Sequence, residues 1–216
     1  MEWHAENMSL FTHDDGGEVL LASPPLIRHS ALLGNTEATA ALARLDAELD
    51  WQRPSLRLYG REHPIPRRQV WMGDASYRYS GRHFAPDPWH PCVLAIRDAV
   101  QRRLADSGVK ARFNSVLLNR YADGRDRMGW HSDDEPELGE SPLIAAVSLG
   151  TDRPLRFRWK DRHAPAFNVD QPHGSLLLMG AGIQARLEHS LPSRQRQGLR
   201  ISLTFRWIAP PATDRT

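Results

Sequence analysis

The chain has 216 residues, 40% hydrophobic and 25% charged, the balance of a soluble globular domain and enough length to bury a sizeable core. Its formal net charge is only +2, so any affinity for an anionic partner rests on where the arginines cluster and not on the total. One cysteine, Cys92, excludes an internal disulfide and a cysteine-rich zinc module. No run approaches the roughly 18 apolar residues of a membrane span, and with no secretory signal visible at the start a cytoplasmic location is expected.

Residues 1 to 35 lack sustained periodicity. Apolar pieces at Val19 to Leu21 and at Leu26 and Ile27 lie between turn formers at Asp14 to Gly17 and Ser23 to Pro25, which predicts an extended arm packed on the body. A helix is expected from near Asn35, with Asn35 or Thr36 as cap and Glu37 in the first turn. Leu42, Leu45 and Leu49 follow at helical spacing, and Pro54 ends the pattern.

The stretch Arg57 to Gln69 carries Arg57, Arg61, Arg67 and Arg68, an aromatic Tyr59 beside Gly60, and two prolines. It reads either as a solvated turn with Tyr59 packed down, or as a loop facing nucleic acid, with arginines for phosphates and Tyr59 as a wedge between bases. Tyr77 and Tyr79 alternate on one face of a predicted strand, suited to a core or to stacking on a planar base. Pro86, Pro88 and Pro91 bracket Trp89 and lead into a second helix. Its apolar stripe is Val93, Ile96, Val100 and Leu104, and Arg97, Arg102 and Arg103 face outward.

Beyond Gly108 the chain reads as strands: Phe113 to Tyr121, Leu143 to Gly150, Leu155 to Trp159, Ser175 to Met179 and Ile201 to Arg206, with a loop from Asp123 to Gly129. Two helices followed by many short strands predict an α+β chain, helices packed on a β-sandwich or jelly roll. No internal repeat or linker divides it. The expected organisation is an arm over 1–35 and one domain over 36–216, with helices and a recognition segment in 36–112 and a strand core in 113–208.

His131 and Asp133 stand two apart, so on an extended strand both side chains reach one cation. A third ligand must come from elsewhere, and His189 is the best candidate. Two imidazoles and one carboxylate on one side of a metal form the facial arrangement of non-haem Fe(II), which leaves positions open. Ten histidines make a lone His-x-Asp weak evidence. Arg200 and Arg206 strengthen it: an even separation points both inward together with Ser202 and Thr204, costly in a core unless something is bound. A dicarboxylate suits arginine forks, and Asn119 and Tyr121 share a strand face from which they could complete its hydrogen bonds. The alternative puts this strand at the surface with both arginines solvated.

Together Asn119-Arg-Tyr121, His131-x-Asp133-Asp134-Glu135, His189-Ser-Leu-Pro and Arg200-x-Ser-Leu-Thr-Phe-Arg206 resemble the AlkB family of Fe(II)- and 2-oxoglutarate-dependent dioxygenases. The resemblance runs from about Leu56 to Ile208. Tyr59-Gly60, Pro66-Arg67, Gly73-Asp74, Ser80-Gly81 and Phe113-Asn114 are similar to the branch acting on double-stranded DNA. It implies a double-stranded β-helix (jelly-roll) core, a nucleotide-recognition lid, and Fe(II) on His131, Asp133 and His189. It also implies 2-oxoglutarate held at its distal carboxylate by Arg200 with help from Tyr121, and near the metal by Arg206 and Asn119. Ser202 stands where many members have asparagine. Tyr77, Tyr79 and Ser80 would line the base pocket above His131, Asp134 and Glu135 would contact or organise it, and Arg67 would face nucleic acid. Tyr59 falls where the duplex-acting relative carries an intercalating phenylalanine.

The implied reaction is oxidative demethylation of lesions such as 1-methyladenine and 3-methylcytosine, using O2 and releasing formaldehyde, succinate and CO2. Alkylated DNA, double- or single-stranded, is the expected partner, with RNA as an alternative and a monomer as the expected state. A dioxygenase acting on a protein or small molecule, and a nucleic-acid-binding module whose metal site is structural or dead, are the rival readings.

Overall fold

The computed structural model describes residues 17–58, 60–74, 77–79, 82–84, 86–195 and 198–209. Strand β10 (Ile144–Gly150) is its spine: six of its seven residues are buried, which is why it reads as an unbroken apolar run. It pairs antiparallel with β13 (Ser175–Met179) and β15 (Arg200–Arg206). Beyond β15 the sheet continues through β8 (Ser115–Tyr121) to β5 (Arg68–Gly73). Beyond β13 it continues through β2 (Leu26–His29) to β1 (Gly17–Leu21). A second sheet runs in the order β12 (Phe167–Val169), β11 (Leu155–Trp159), β14 (Leu187–Leu191), β9 (Met128–His131). Two hairpins stand apart, β3 (Ser55–Leu58) with β4 (Arg61–Pro64), and β6 (Tyr77–Tyr79) with β7 (Arg82–Phe84). The two facing antiparallel sheets are the expected jelly-roll core.

Helices α1 (Asn35–Glu48) and α2 (Pro91–Asp106) cover one face of the seven-stranded sheet. Leu45, Val93, Ile96, Val100 and Leu104 meet Val116, Val147, Leu203 and Phe205 there. Between the two sheets Ile144, Leu177 and Met179 pack on Phe157, Trp159 and Leu187. Each such fully buried side chain is worth about 1.5–3 kcal/mol of transfer from water. The α2 stripe is as the periodicity predicts, and its entry is fixed by Pro91 in the first turn and by His90, whose Nδ1 accepts from the Cys92 N–H at 3.2 Å. The cap of α1 differs from expectation: Gly34 is the N-cap and no side chain caps the end.

The arm also differs. Residues 17–29 form the two outer strands of the main sheet, with β2 paired to β13 from Leu26–Met179 to His29–Leu176. Their apolar pieces are too short to show a period, but Leu26 and Ile27 are buried and their backbone groups complete the ladder of β13. In the same way β5, within the segment expected to form the lid, is an edge strand of the main sheet on β8. The predicted loop from Asp123 to Gly129 gives way to strand at Met128.

Candidate active site

Register brings the site together. In the β15–β8 pair Arg200 lies across from Tyr121 and Ser202 across from Asn119. Arg200, Ser202, Thr204 and Arg206 line one cavity between the sheets with Asn119, Tyr121, His131, Asp133 and His189. Ile201, Leu203 and Phe205 point the other way, into the helical core. The reading with solvated arginines is therefore excluded: Arg200 is 2% exposed and Arg206 7%.

Arg200 is a buried cation without a buried anion. Its Nε donates to Ser148 Oγ at 3.1 Å, and its guanidinium lies 5.4 Å from the Tyr121 ring centroid. No carboxylate among the described residues forms an ion pair with it. Burial pushes its pKa down, which Tyr121 only partly opposes. An arginine held this way is satisfied by an anionic ligand.

At the other end of the cavity β9 and β14 align His131 with His189, ring centroids 4.2 Å apart. Phe157 stacks on His189 at 5.5 Å. His131 Nδ1–H donates to Gly129 O at 2.9 Å, which leaves Nε2 as the lone-pair nitrogen. Burial, and then the neighbouring His131, push the His189 pKa down to about 3, so its imidazole is neutral near pH 7. Its Nδ1 is buried with no hydrogen-bond partner. Burial opposes charge on Asp133, yet Arg206 and the two imidazoles hold its carboxyl below the usual range. Arg206 Nη2 donates to Asp133 Oδ1 at 2.7 Å, and the Asp133 N–H donates to Gln184 Oε1 at 2.9 Å.

The three side chains thus share one cavity, although among the described residues no three His, Cys, Asp or Glu groups form a closed ligand cluster, Asp133 being engaged by Arg206. Two imidazoles, one with its Nδ1–H engaged by a backbone carbonyl and one with an orphaned buried nitrogen, beside an ionised carboxylate are the donor chemistry that suits Fe(II).

A second hollow opens over His131, Asp133 and Arg206 between Arg67, Gln69, Trp71, Leu117, Met128 and Glu135. Arg67 Nε donates to Asn119 Oδ1 at 2.7 Å, linking this mouth to the inner cavity. Glu135 Oε2 is buried there with no hydrogen-bond partner. Asp134, expected at the substrate, lines neither hollow: it pairs with Lys160 Nζ at 3.0 Å and is exposed, because successive residues of an extended chain face opposite ways. Tyr77 and Tyr79 occupy alternate positions of β6; their side chains, and Tyr59 and Ser80 altogether, lie outside the described residues.

Gln69 and Trp71 lay unrecognised as mouth residues, although with Arg67 they alternate against the buried Val70 and Met72, a period of two that marks one strand face. Gln184 carried no such signal. It reaches Asp133 from the short helix α3 (Ile183–Arg186), which runs straight into β14, the strand paired with β9.

The family model described as the 2OG-Fe(II) oxygenase superfamily matches residues 26–206. The chain is 37% identical over 195 residues to the DNA oxidative demethylase ALKBH2 of Mus musculus, covering 84% of this chain and 80% of that protein. It is 38% identical over 194 residues to the Homo sapiens ALKBH2, covering 83% and 72%. To the Homo sapiens alpha-ketoglutarate-dependent dioxygenase alkB homolog 3 it is 32% identical over 185 residues, covering 81% and 63%. The solved structure of OsALKBH1 superposes with a TM-score of 0.65 at 16% identity, covering 84% of this chain and 97% of that one, a likeness of fold.

Proposed function

The chain belongs to the 2OG-Fe(II) oxygenase superfamily, and within it to the AlkB family on the ALKBH2 branch, and from that premise we propose that it repairs alkylated DNA bases by oxidative demethylation. The observation that carries this reading is the pairing, in one cavity, of a buried arginine lacking a counter-ion with a His131, Asp133 and His189 donor set. Fe(II), when bound with 2-oxoglutarate, supplies the oxidising chemistry that consumes O2, gives succinate and CO2, and releases the N-methyl group as formaldehyde.

The chain's own residues bind and orient. Arg200, braced by Ser148 and Tyr121, takes the distal carboxylate. Asn119 and Arg206 take the metal-side end of the oxoacid, and Arg206 then divides itself between that ligand and Asp133. Ser202 completes the polar wall opposite Asn119. Phe157 behind His189 keeps water from that side of the ligand set. Over the mouth, His131, Glu135 and Trp71 receive the base, with Tyr77, Tyr79 and Ser80 as its further wall and Arg67 toward the strand. Tyr59 fills the gap in a duplex left by the extruded base. An alkylated Watson–Crick edge pairs badly, so extrusion costs less for a lesion than for an intact base.

The test is formaldehyde and succinate release by purified protein with Fe(II), 2-oxoglutarate, ascorbate and O2. The substrates are 1-methyladenine in matched double-stranded DNA, single-stranded DNA and RNA. Formaldehyde from DNA is the expected result. Succinate without formaldehyde on every nucleic acid would overturn the substrate reading while leaving the oxoacid site standing.

A further inference from the structure

Beside the mouth, and separate from the inner cavity, lies a groove of about 510 Å³ walled by the Pro66–Arg68 segment and the loop 122–127. Arg53, Arg67, Arg68, Arg120, Arg125 and Arg127 line it, against Asp123 and Asp126. Both carboxylates are engaged within the loop, Asp123 in an ion pair and Asp126 by a backbone N–H. Asp123 accepts from the N–H and the guanidinium of Arg125 at 2.8 and 2.6 Å, and Asp126 accepts from the Ala122 N–H at 2.8 Å. Arg120 pairs with Asp46, and Arg53 Nε donates to Ile65 O at 3.0 Å. Arg68 and Arg127 are exposed, and no ion pair among the described residues engages them.

The groove is preformed. The Arg127 N–H donates to Pro66 O at 2.9 Å and so fastens the two walls together. From beneath, Arg153, 1% exposed, donates to Asp123 O, Asp126 O and Pro192 O at 3.0, 2.7 and 2.9 Å. The Arg194 N–H donates to Gly124 O at 2.7 Å, and a Cβ at Gly124 would stand 2.3 Å from Arg194 O. These contacts hold the loop's backbone, and none of them uses the Arg125 or Arg127 side chain. A site presented this way binds without first paying to order itself. Gathering like charges costs repulsion in the free protein, and a polyanion relieves it.

We propose that this groove seats backbone phosphates of the strand whose base enters the mouth, with Arg68 and Arg127 as the principal contacts. The proposal rests on the nucleic-acid reading above. Arg67 lines both the groove and the mouth, so one continuous strand can thread past it, which a free phosphate ion would not exploit. Phosphate contacts set the register of the strand and carry no information about the base.

The test compares wild type with the double variant Arg68→Gln, Arg127→Gln and with Arg68→Lys, Arg127→Lys. Each is assayed for binding to a single-stranded 1-methyladenine DNA over a range of salt, and for turnover on that strand and on the phosphate-free 1-methyladenine nucleoside. The Gln variant is expected to lower the slope of log affinity against log salt by about 1.4, two contacts at roughly 0.7 each. It should raise KM on the strand about tenfold with kcat on the nucleoside held, and the Lys variant should restore most of the slope. An unchanged slope and KM would overturn the proposal. So would equal losses on strand and nucleoside, which would make these arginines parts of the scaffold. Wild type that neither demethylates DNA nor binds it with salt dependence would overturn the nucleic-acid reading itself, and this proposal with it.

Discussion

Asp133 carries two duties, as candidate ligand and as counter-charge to Arg206. Asp133→Ala should abolish Fe(II)-dependent succinate release. Because it removes the carboxylate that pairs with the buried Arg206, it should also cost about 3–5 kcal/mol, readable in urea denaturation of the metal-free protein. Arg200→Met should act in the opposite sense on stability. It removes a buried cation with no carboxylate partner, so the metal-free Tm should hold or rise, while the 2-oxoglutarate concentration for half-maximal turnover rises at least tenfold. His189 gives a pH signature. Its folded pKa lies near 3 against 6.5 for a free imidazole, so between these values the unfolded chain binds the extra proton and stability falls as pH drops through 6.5. Asp133, with its pKa lowered, adds its own loss only below the ordinary carboxylate range. The metal-free Tm should therefore decline from pH 7 to pH 4, and His189→Gln should flatten that decline; an equally steep profile in the variant would refute the assignment.

At the scale of elements, β15 and β10 decide where Arg200 stands. Gly150 ends β10 across from Arg200 with φ +89° and a would-be Cβ 2.3 Å from Leu199 O. Gly150→Ala should cost about 1–3 kcal/mol in backbone strain alone. It should also weaken 2-oxoglutarate affinity by shifting Arg200, checked by denaturation alongside oxoacid titration. The strands legible in the sequence were those buried on one or both faces. Leu155–Trp159 shows the period of two, and Ser175–Met179 and β10 show continuous apolar runs. β9 was not legible: Met128–His131 has intermediate or exposed residues throughout, so no hydrophobic alternation marks it, and only pairing with β14 makes it a strand. β14 was equally hidden, since the polar Glu188, His189 and Ser190 stand between Leu187 and Leu191 and interrupt any apolar pattern, although four of its five residues are buried.

For the whole molecule, two hollows meet at Arg67: the mouth proposed to take the base and the arginine groove proposed beside it. Repair of a duplex needs both a grip on phosphates and a plug for the vacated stack. Tyr59→Ala should therefore lower turnover on double-stranded DNA more than on single-stranded DNA, and equal losses would remove its part as a wedge. The layered body behind this surface, helices on a seven-stranded sheet facing a four-stranded one, offers it a rigid base.

By itself the sequence determined the chemistry and the fold class. Even spacing from Arg200 to Arg206 dictates which side chains share a strand face, because a strand's geometry has a period of two wherever it lies, whereas His131 closes β9 and Asp133 follows just beyond its end. Tertiary structure alone decided which faces meet. The register of β15 on β8 sets Arg200 against Tyr121, β14 on β9 sets His189 against His131, and α3 brings Gln184 to Asp133. It also decided that Asp134 turns to Lys160 while Glu135 stays at the mouth, and that scattered arginines from four segments converge in one groove. Such contacts join residues far apart along the chain, and they depend on how sheets pack and strands pair, which no local pattern encodes.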